Sequence, residues 1–202
     1  IWTAKKRYIL NVWDSEGVRY EEPKLKMMGI EAVKSSTPAP CRTMIKDALK
    51  LMMSGTEDEV IDFIENARKE FKSLPPEEIA FPRTASNIQK YKSSSDIYVK
   101  GTPIHIRGAL LFNYYLKKKK LTNKYSEINN GEKVKFLYLK KPNIIQENVL
   151  SFIQDFPKEF GLATYIDYEL QFEKSFVYPL KAILDAIGWE VEKKVTLESF
   201  FS

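Results

Sequence analysis

The sequence predicts an α+β fold, an antiparallel hairpin or sheet fragment followed by a mixed, mainly helical domain, and three patterns carry that reading. Extended runs separated by turn residues fill the N-terminal stretch as far as Met28. Two segments with apolar residues at helical spacing follow, bounded by proline and glycine. An alternating run from Glu132 to Leu139 then stands among further helical segments. Of 202 residues 44% are apolar, enough to bury a core, so one compact domain with a smaller appendage is expected.

Taken in order, Lys5-Lys6-Arg7-Tyr8 leads into Ile9-Leu10-Asn11-Val12-Trp13, which puts three cations and a phenol at the mouth of a strand. Asp14-Ser15-Glu16-Gly17 reads as a four-residue turn, Val18-Arg19-Tyr20 as the returning strand, and Lys24 to Met28 as a third run after Pro23. The basic residues suit either phosphate binding or a solvated edge protected by lysine. Gly29 ends the run, and Ile30 to Pro38 leads out of the sheet. Ile45, Ala48, Leu49 and Met52 share one helical face that Gly55 terminates, and Thr56 with Glu59 forms a capping box. Val60, Phe63, Ile64, Ala67 and Phe71 continue at helical spacing until Pro75-Pro76.

A short extended piece is expected at Ile79 to Phe81, then a polar loop from Arg83 to Tyr91. Thr102-Pro103 reads as a helix start, with threonine as cap and proline in the first turn. Gly108 lets another backbone, of protein or nucleic acid, come close. That helix runs to Lys117-Lys118-Lys119-Lys120. The alternating strand places Val134, Phe136 and Tyr138 on one face, with Val149 to Ile153 as its partner. A last helical region spans about Tyr165 to Ile187, kinked or restarted at Pro179 and ended by Gly188. Glu190 to Lys194 forms a charged tether before Val195 to Ser202.

The net charge of +5 conceals a segregation by segment. Residues 83–141 hold 14 Lys/Arg against 3 Asp/Glu, a net of +11, whereas 51–82 (3 against 8) and 142–202 (5 against 10) each stand at −5. Such separation of sign favours a polyanion-binding face. The single cysteine, Cys41, excludes an internal disulfide framework, and with one histidine it makes no zinc site. No stretch reaches the roughly 18 apolar residues of a membrane span, no signal peptide precedes the first strand, and an intracellular protein without membrane contact is expected. Because residue 1 is isoleucine and the chain opens almost directly into a strand, a piece of a larger polypeptide is expected.

The run KKRYILNVWDSEGVRYEEPKLKMMGIEAVKSSTP resembles the last palm strands and palm-to-thumb crossing of family B DNA polymerases, specifically those of T-even-type bacteriophages. TPIHIRGALLFN at 102–113 is similar to the thumb signature of that group, and the C-terminal TLESFF is similar to its end. The resemblance implies palm strands and crossing over residues 1–37, a thumb over 38–189, and a tether with a clamp-binding tail over 190–202. It further implies that Lys5, Lys6, Arg7 and Tyr8 hold the primer side, with Lys6 reaching the minor groove. Lys34, Ser35 and Ser36 would hold backbone at the crossing. Asn87, Lys90, Tyr91, Lys100, His105 and Arg107 would lie farther up the duplex, His105 in a phosphate or a packing role.

Leu197, Phe200 and Phe201 are similar to a sliding-clamp peptide, although Lys194 stands where many such peptides carry glutamine. The same residues could instead pack on their own domain. No cofactor is expected within this chain, because the Asp-x-Asp core and the second catalytic aspartate of the palm are missing from the sequence; two Mg ions are expected in the remaining palm. The implied partners are primer-template duplex, the polypeptide carrying exonuclease, fingers and the rest of the palm, and the phage clamp, in the cytoplasm of the infected bacterium. The competing reading is a stand-alone nucleic-acid-binding accessory module.

Overall fold

The protein is described here from a computed structural model covering residues 1–193. Leu197, Phe200 and Phe201 therefore lie outside the described residues. Two compact units divide the described residues, the first from 1–34, 40–73 and 172–193, the second from 35–39 and 74–171. The fold class is α+β, each unit joining helices to a three-stranded antiparallel sheet.

In the first unit, β1 (Trp2–Ala4), β2 (Arg7–Ser15) and β3 (Val18–Met28) pair in that order. The connection between β2 and β3 is tighter than the sequence suggested. Ser15 pairs with Val18, and only Glu16 and Gly17 form the loop, both at positive φ (55° and 79°). A two-residue turn of this hand matches the twist of the flanking strands, so it forms in preference to the four-residue turn. The expected third run is likewise the continuation of β3, which passes through Pro23 without a break. Proline survives there because β3 is an edge strand, and because Pro23 falls opposite the irregularity between Val12 and Asp14. One face of this sheet leaves Trp2, Leu10 and Met28 exposed.

Helix α1 (Ala39–Ser54) buries Cys41, Met44, Ile45, Ala48, Leu49 and Met52, and α2 (Glu57–Ser73) buries Val60, Ile61, Ile64, Ala67 and Phe71. Phe63 is only half-buried, its expected place in the stripe being taken by Ile61. Both arms of the capping box form: the Thr56 amide donates to Glu59 Oε2 at 2.8 Å and the Glu59 amide to Thr56 Oγ1 at 3.4 Å. Phe172 packs 5.2 Å from Phe71 and 4.9 Å from Phe176, and Cys41 Sγ donates to Ser175 Oγ at 3.2 Å. Burial pushes the Cys41 thiol up to about 11, so it behaves as a small core residue. Residues 190–193 run along α2 instead of standing free. The Glu190 amide donates to Glu57 at 2.7 Å and Lys193 pairs with Asp62 at 2.8 Å, because the acidic face of α2 supplies the partners.

In the second unit, α3 (Pro76–Ile79) replaces the first part of the expected extended piece, and β4 follows at Phe81–Thr84. Helix α4 (Ile104–Lys118) and strands β5 (Lys133–Tyr138) and β6 (Val149–Phe152) complete it, in sheet order β4-β5-β6. Thr102 does not cap α4; its hydroxyl donates to the Val99 carbonyl at 2.6 Å and Pro103 occupies the cap position. All four β6 residues are buried, and in β5 Leu137 is buried beside Val134 and Phe136, so the sheet is covered on both faces. The buried amide of Gln171 joins the sheet to α3, donating to the Ile79 carbonyl at 2.7 Å and accepting from the Tyr138 amide at 3.2 Å. After α5 (Tyr168–Phe172) the chain returns to the first unit, where a π-helical turn at Glu173–Val177 leads into α6 (Tyr178–Leu184). Pro179 stands in the first turn of α6, so the expected restart follows one wide turn that absorbs its missing N–H.

Gly108 decides how α4 sits. A Cβ built there would lie 2.4 Å from Ser151 Oγ, 2.7 Å from the Ser151 amide nitrogen and 3.0 Å from the Leu150 carbonyl carbon. The backbone that comes close is therefore β6. Gly108→Ala should lower unfolding stability by about 1 to 3 kcal/mol, read by chemical denaturation. Adding Ser151→Ala should recover little, because the obstructing backbone remains; full recovery would mean that only the hydroxyl matters.

Candidate nucleic-acid interface

The basic tetrad lies at the turn between β1 and β2 in the first unit. Lys6 adopts the left-handed conformation (φ 62°), and its carbonyl oxygen would be 2.3 Å from a Cβ on Gly29, itself at φ 68°. Only glycine allows that approach, so the end of β3 holds the lysine loop in place. Lys5 and Lys6 are exposed and make no ion pair among the described residues. Arg7 turns back to Glu31 in a bidentate pair (3.2 and 2.7 Å), and the same carboxylate takes Lys34 at 2.9 Å. Two of the predicted cations thus share one anion. Tyr8 stacks on Trp2 with centroids 5.0 Å apart. The sequence offered no sign that Glu31 would join this cluster, since a 3-10 turn at Glu31–Val33 brings it back to β2.

In the second unit, Ser35 is exposed and the Ser36 carbonyl accepts from Arg83 Nη1 at 2.7 Å. Asn87 is exposed at φ 57°, a conformation asparagine tolerates, and it opens the 3-10 turn Ile88–Tyr91. Lys90 is exposed, with its Nζ 5.7 Å from the Tyr91 ring. The Val99 amide donates to the Tyr91 carbonyl at 3.0 Å, which draws exposed Lys100 toward the same stretch.

His105 and Arg107 have protein partners. The His105 ring lies 6.4 Å from Phe136; burial, and then the charge of Arg83, pull its pKa below the ordinary value, against an opposing effect of the Thr84 backbone. Arg107 Nη2 donates to Asn148 Oδ1 at 2.5 Å, its guanidinium lies 5.7 Å from the Tyr98 ring, and Tyr98 donates in turn to Glu147. The strongly positive central segment is also partly neutralised: Lys117 pairs with Glu127 at 2.9 Å and Lys124 with Glu159. Tyr125 donates to Glu159 at 2.6 Å; that carboxyl is lowered to about 2, first by Lys124 and then by Tyr125.

Among the described residues no three His, Cys, Asp or Glu side chains group so as to hold a metal ion. No helix among the described residues is long and apolar enough to cross a membrane.

The burial of His105 has a measurable sign. In the folded protein its imidazole should titrate below about 6.5, the value of an unperturbed histidine. Between the two values the unfolded chain binds more protons than the native one, so stability falls as pH drops through that window and levels off below it. An NMR titration of the single imidazole with urea unfolding at stepped pH checks this, and His105→Gln should remove that part of the pH dependence. A midpoint at or above 6.5 would contradict the burial.

No protein-family model matches the chain. Over 204 residues it is 33% identical to the DNA-directed DNA polymerase of Enterobacteria phage T4, and over 205 residues 36% identical to that of Escherichia phage RB69. Each alignment takes in 99% of this chain and 22% of the relative, so the chain spans about a fifth of the length of the curated relatives it matches. Along almost its full length the chain is thus similar to one segment of each of these two bacteriophage DNA polymerases.

Proposed function

We propose that this chain is the duplex-gripping part, the last palm strands and the thumb, of a replicative DNA-directed DNA polymerase. The observation that carries the reading is the alignment of 99% of the chain with two DNA polymerases. The free ammonium groups of Lys5 and Lys6, on a turn whose backbone is pinned at Gly29, support it. A rigid turn presents cations to a polyanion at little entropic cost. Lys6 would bond the minor-groove acceptors that correct base pairs share, while Lys5 neutralises phosphate.

Arg7 and Lys34, held by Glu31, would be pre-aligned beside the strand. Asn87, Lys90, Tyr91 and Lys100 would follow backbone phosphates, with Ser35 and Ser36 at the crossing. His105 and Arg107 act in this reading through the loops they brace. Nucleotidyl transfer, with its two Mg ions, would belong to a polypeptide carrying exonuclease, fingers and the rest of the palm. The exposed Trp2, Leu10 and Met28 suit contact with that polypeptide, and Leu197, Phe200 and Phe201 suit a phage sliding clamp. The setting would be the cytoplasm of an infected bacterium.

The purified chain should bind primer-template duplex without sequence preference and extend no primer alone; mixing with the remaining polymerase polypeptide should restore synthesis. If roughly four to six phosphates are neutralised, log K should fall against log salt with a slope of about −4 to −5. Lys90→Ala should reduce the slope by about 0.9, whereas Arg107→Ala should act mainly on stability, by about 1 to 3 kcal/mol. Lys6→Ala should impair extension by the reassembled enzyme. Salt-independent binding, or incorporation by the purified chain, would sink the reading.

Deleting residues 197–202 tests the tail separately. Distributive synthesis should stay unchanged and stimulation by the clamp should disappear. Full stimulation of the truncated enzyme would exclude a clamp role.

A further inference from the structure

A cleft of about 380 Å³ in the second unit is lined by Ser35, Ser36, Pro82, Arg83, Thr84 and Lys133. Its composition is unusual in one respect. A larger cleft in the same unit is lined by Glu77, Asp155 and Glu159 among others, and one in the first unit by Glu57, Asp58, Glu190 and Glu192, whereas this one holds no carboxylate. It combines two cations with three hydroxyls, a set that donates hydrogen bonds without contributing negative charge.

Arg83 is the anchor. One amino group, Nη1, donates to the carbonyls of Ser36 (2.7 Å) and Pro82 (2.8 Å), and the guanidinium lies 5.7 Å from the centroids of both Phe81 and Phe136. These contacts orient the planar group and partly remove it from water, yet no carboxylate pairs with it among the described residues. A guanidinium held in this way keeps an unmet preference for an anion and has donors left to offer. Thr84 and Lys133 are directly paired across β4 and β5, which sets the threonine hydroxyl and the lysine stem side by side on one face of the sheet.

We propose that this cleft is a backbone-phosphate site, with Arg83 as its oriented cation, Lys133 as its exposed one, and the hydroxyls of Ser35, Ser36 and Thr84 as neutral donors. The proposal rests on the duplex-gripping reading and adds to it two cations outside the basic tetrad and the 87–107 stretch. The same arrangement gives Arg83 two tasks: its Nη1 ties residue 36 to β4, and its remaining donors meet the phosphate.

Duplex binding by the whole chain, followed by fluorescence anisotropy across a salt series, tests the site. Arg83→Gln and Lys133→Gln should each weaken binding about five- to tenfold near 0.1 M salt and flatten the salt slope by about 0.9. Arg83→Lys should keep the slope of the parent while losing thermal stability, since lysine carries the charge but cannot reproduce the fork. Lys46→Gln, on the exposed side of α1, should leave both readouts unchanged. If Arg83→Gln unfolds the chain, Lys133→Gln decides alone, because that side chain is exposed. Parent binding with unchanged slopes in both Gln variants overturns the site but leaves the duplex reading intact. Failure of the parent to bind duplex overturns the duplex reading and the site with it.

Discussion

The second unit depends on a single close approach of main chain to main chain, α4 at Gly108 against β6 at Ser151. With no side chain in the way, the Ser151 hydroxyl reaches the His105 carbonyl at 2.8 Å and ties the first turn of the helix to the strand. Further along α4, the buried side chain of Asn113 exchanges two bonds of 2.8 Å with the backbone of Ile128 and so holds the loop before β5. Both devices satisfy polar groups that burial would otherwise leave costly. They hold β4, β5 and the loop at 85–100 on one scaffold, and that scaffold carries most of the candidate phosphate-facing residues of this unit.

In the first unit the corresponding constraint is Gly29 beneath Lys6. A sheet edge could present lysines on a loose turn, but here the carbonyl of one lysine rests against the strand end. The turn is therefore part of the sheet, and its two free ammonium groups stand out from a fixed base. Glu31 gives the neighbouring cations a different character. Arg7 and Lys34 are ordered by a carboxylate that a phosphate could displace, since the cluster as a whole keeps an excess of one positive charge.

Net charge by segment suggested a uniformly basic middle region, and the tertiary structure distributes that charge unevenly. Lys124 is matched by Glu159, Lys117 by Glu127, and Arg107 is engaged by Asn148. Lys90, Lys100 and Lys133 remain exposed, and Arg83 remains without an acidic partner among the described residues. A count over sequence windows cannot separate these groups, because the partners come from 10 to 41 positions away.

Local physics made much of the chain readable. The capping box at Thr56 and Glu59, the buried stripes of α1 and α2, the alternation of β5 and the restart near Pro179 all depend on residues within one or two turns of each other. The basic tetrad and the 102–113 block were also legible, as residue types and as a resemblance. Pairing across long separations was not. That β3 runs through Pro23 depends on its being an edge strand, that Gly108 faces β6 depends on a strand 43 positions away, and that Arg7 meets Glu31 depends on the path of the chain after Gly29. Side-chain spacing determines which face of an element is apolar; only the packed structure decides what that face, or a charge beside it, meets.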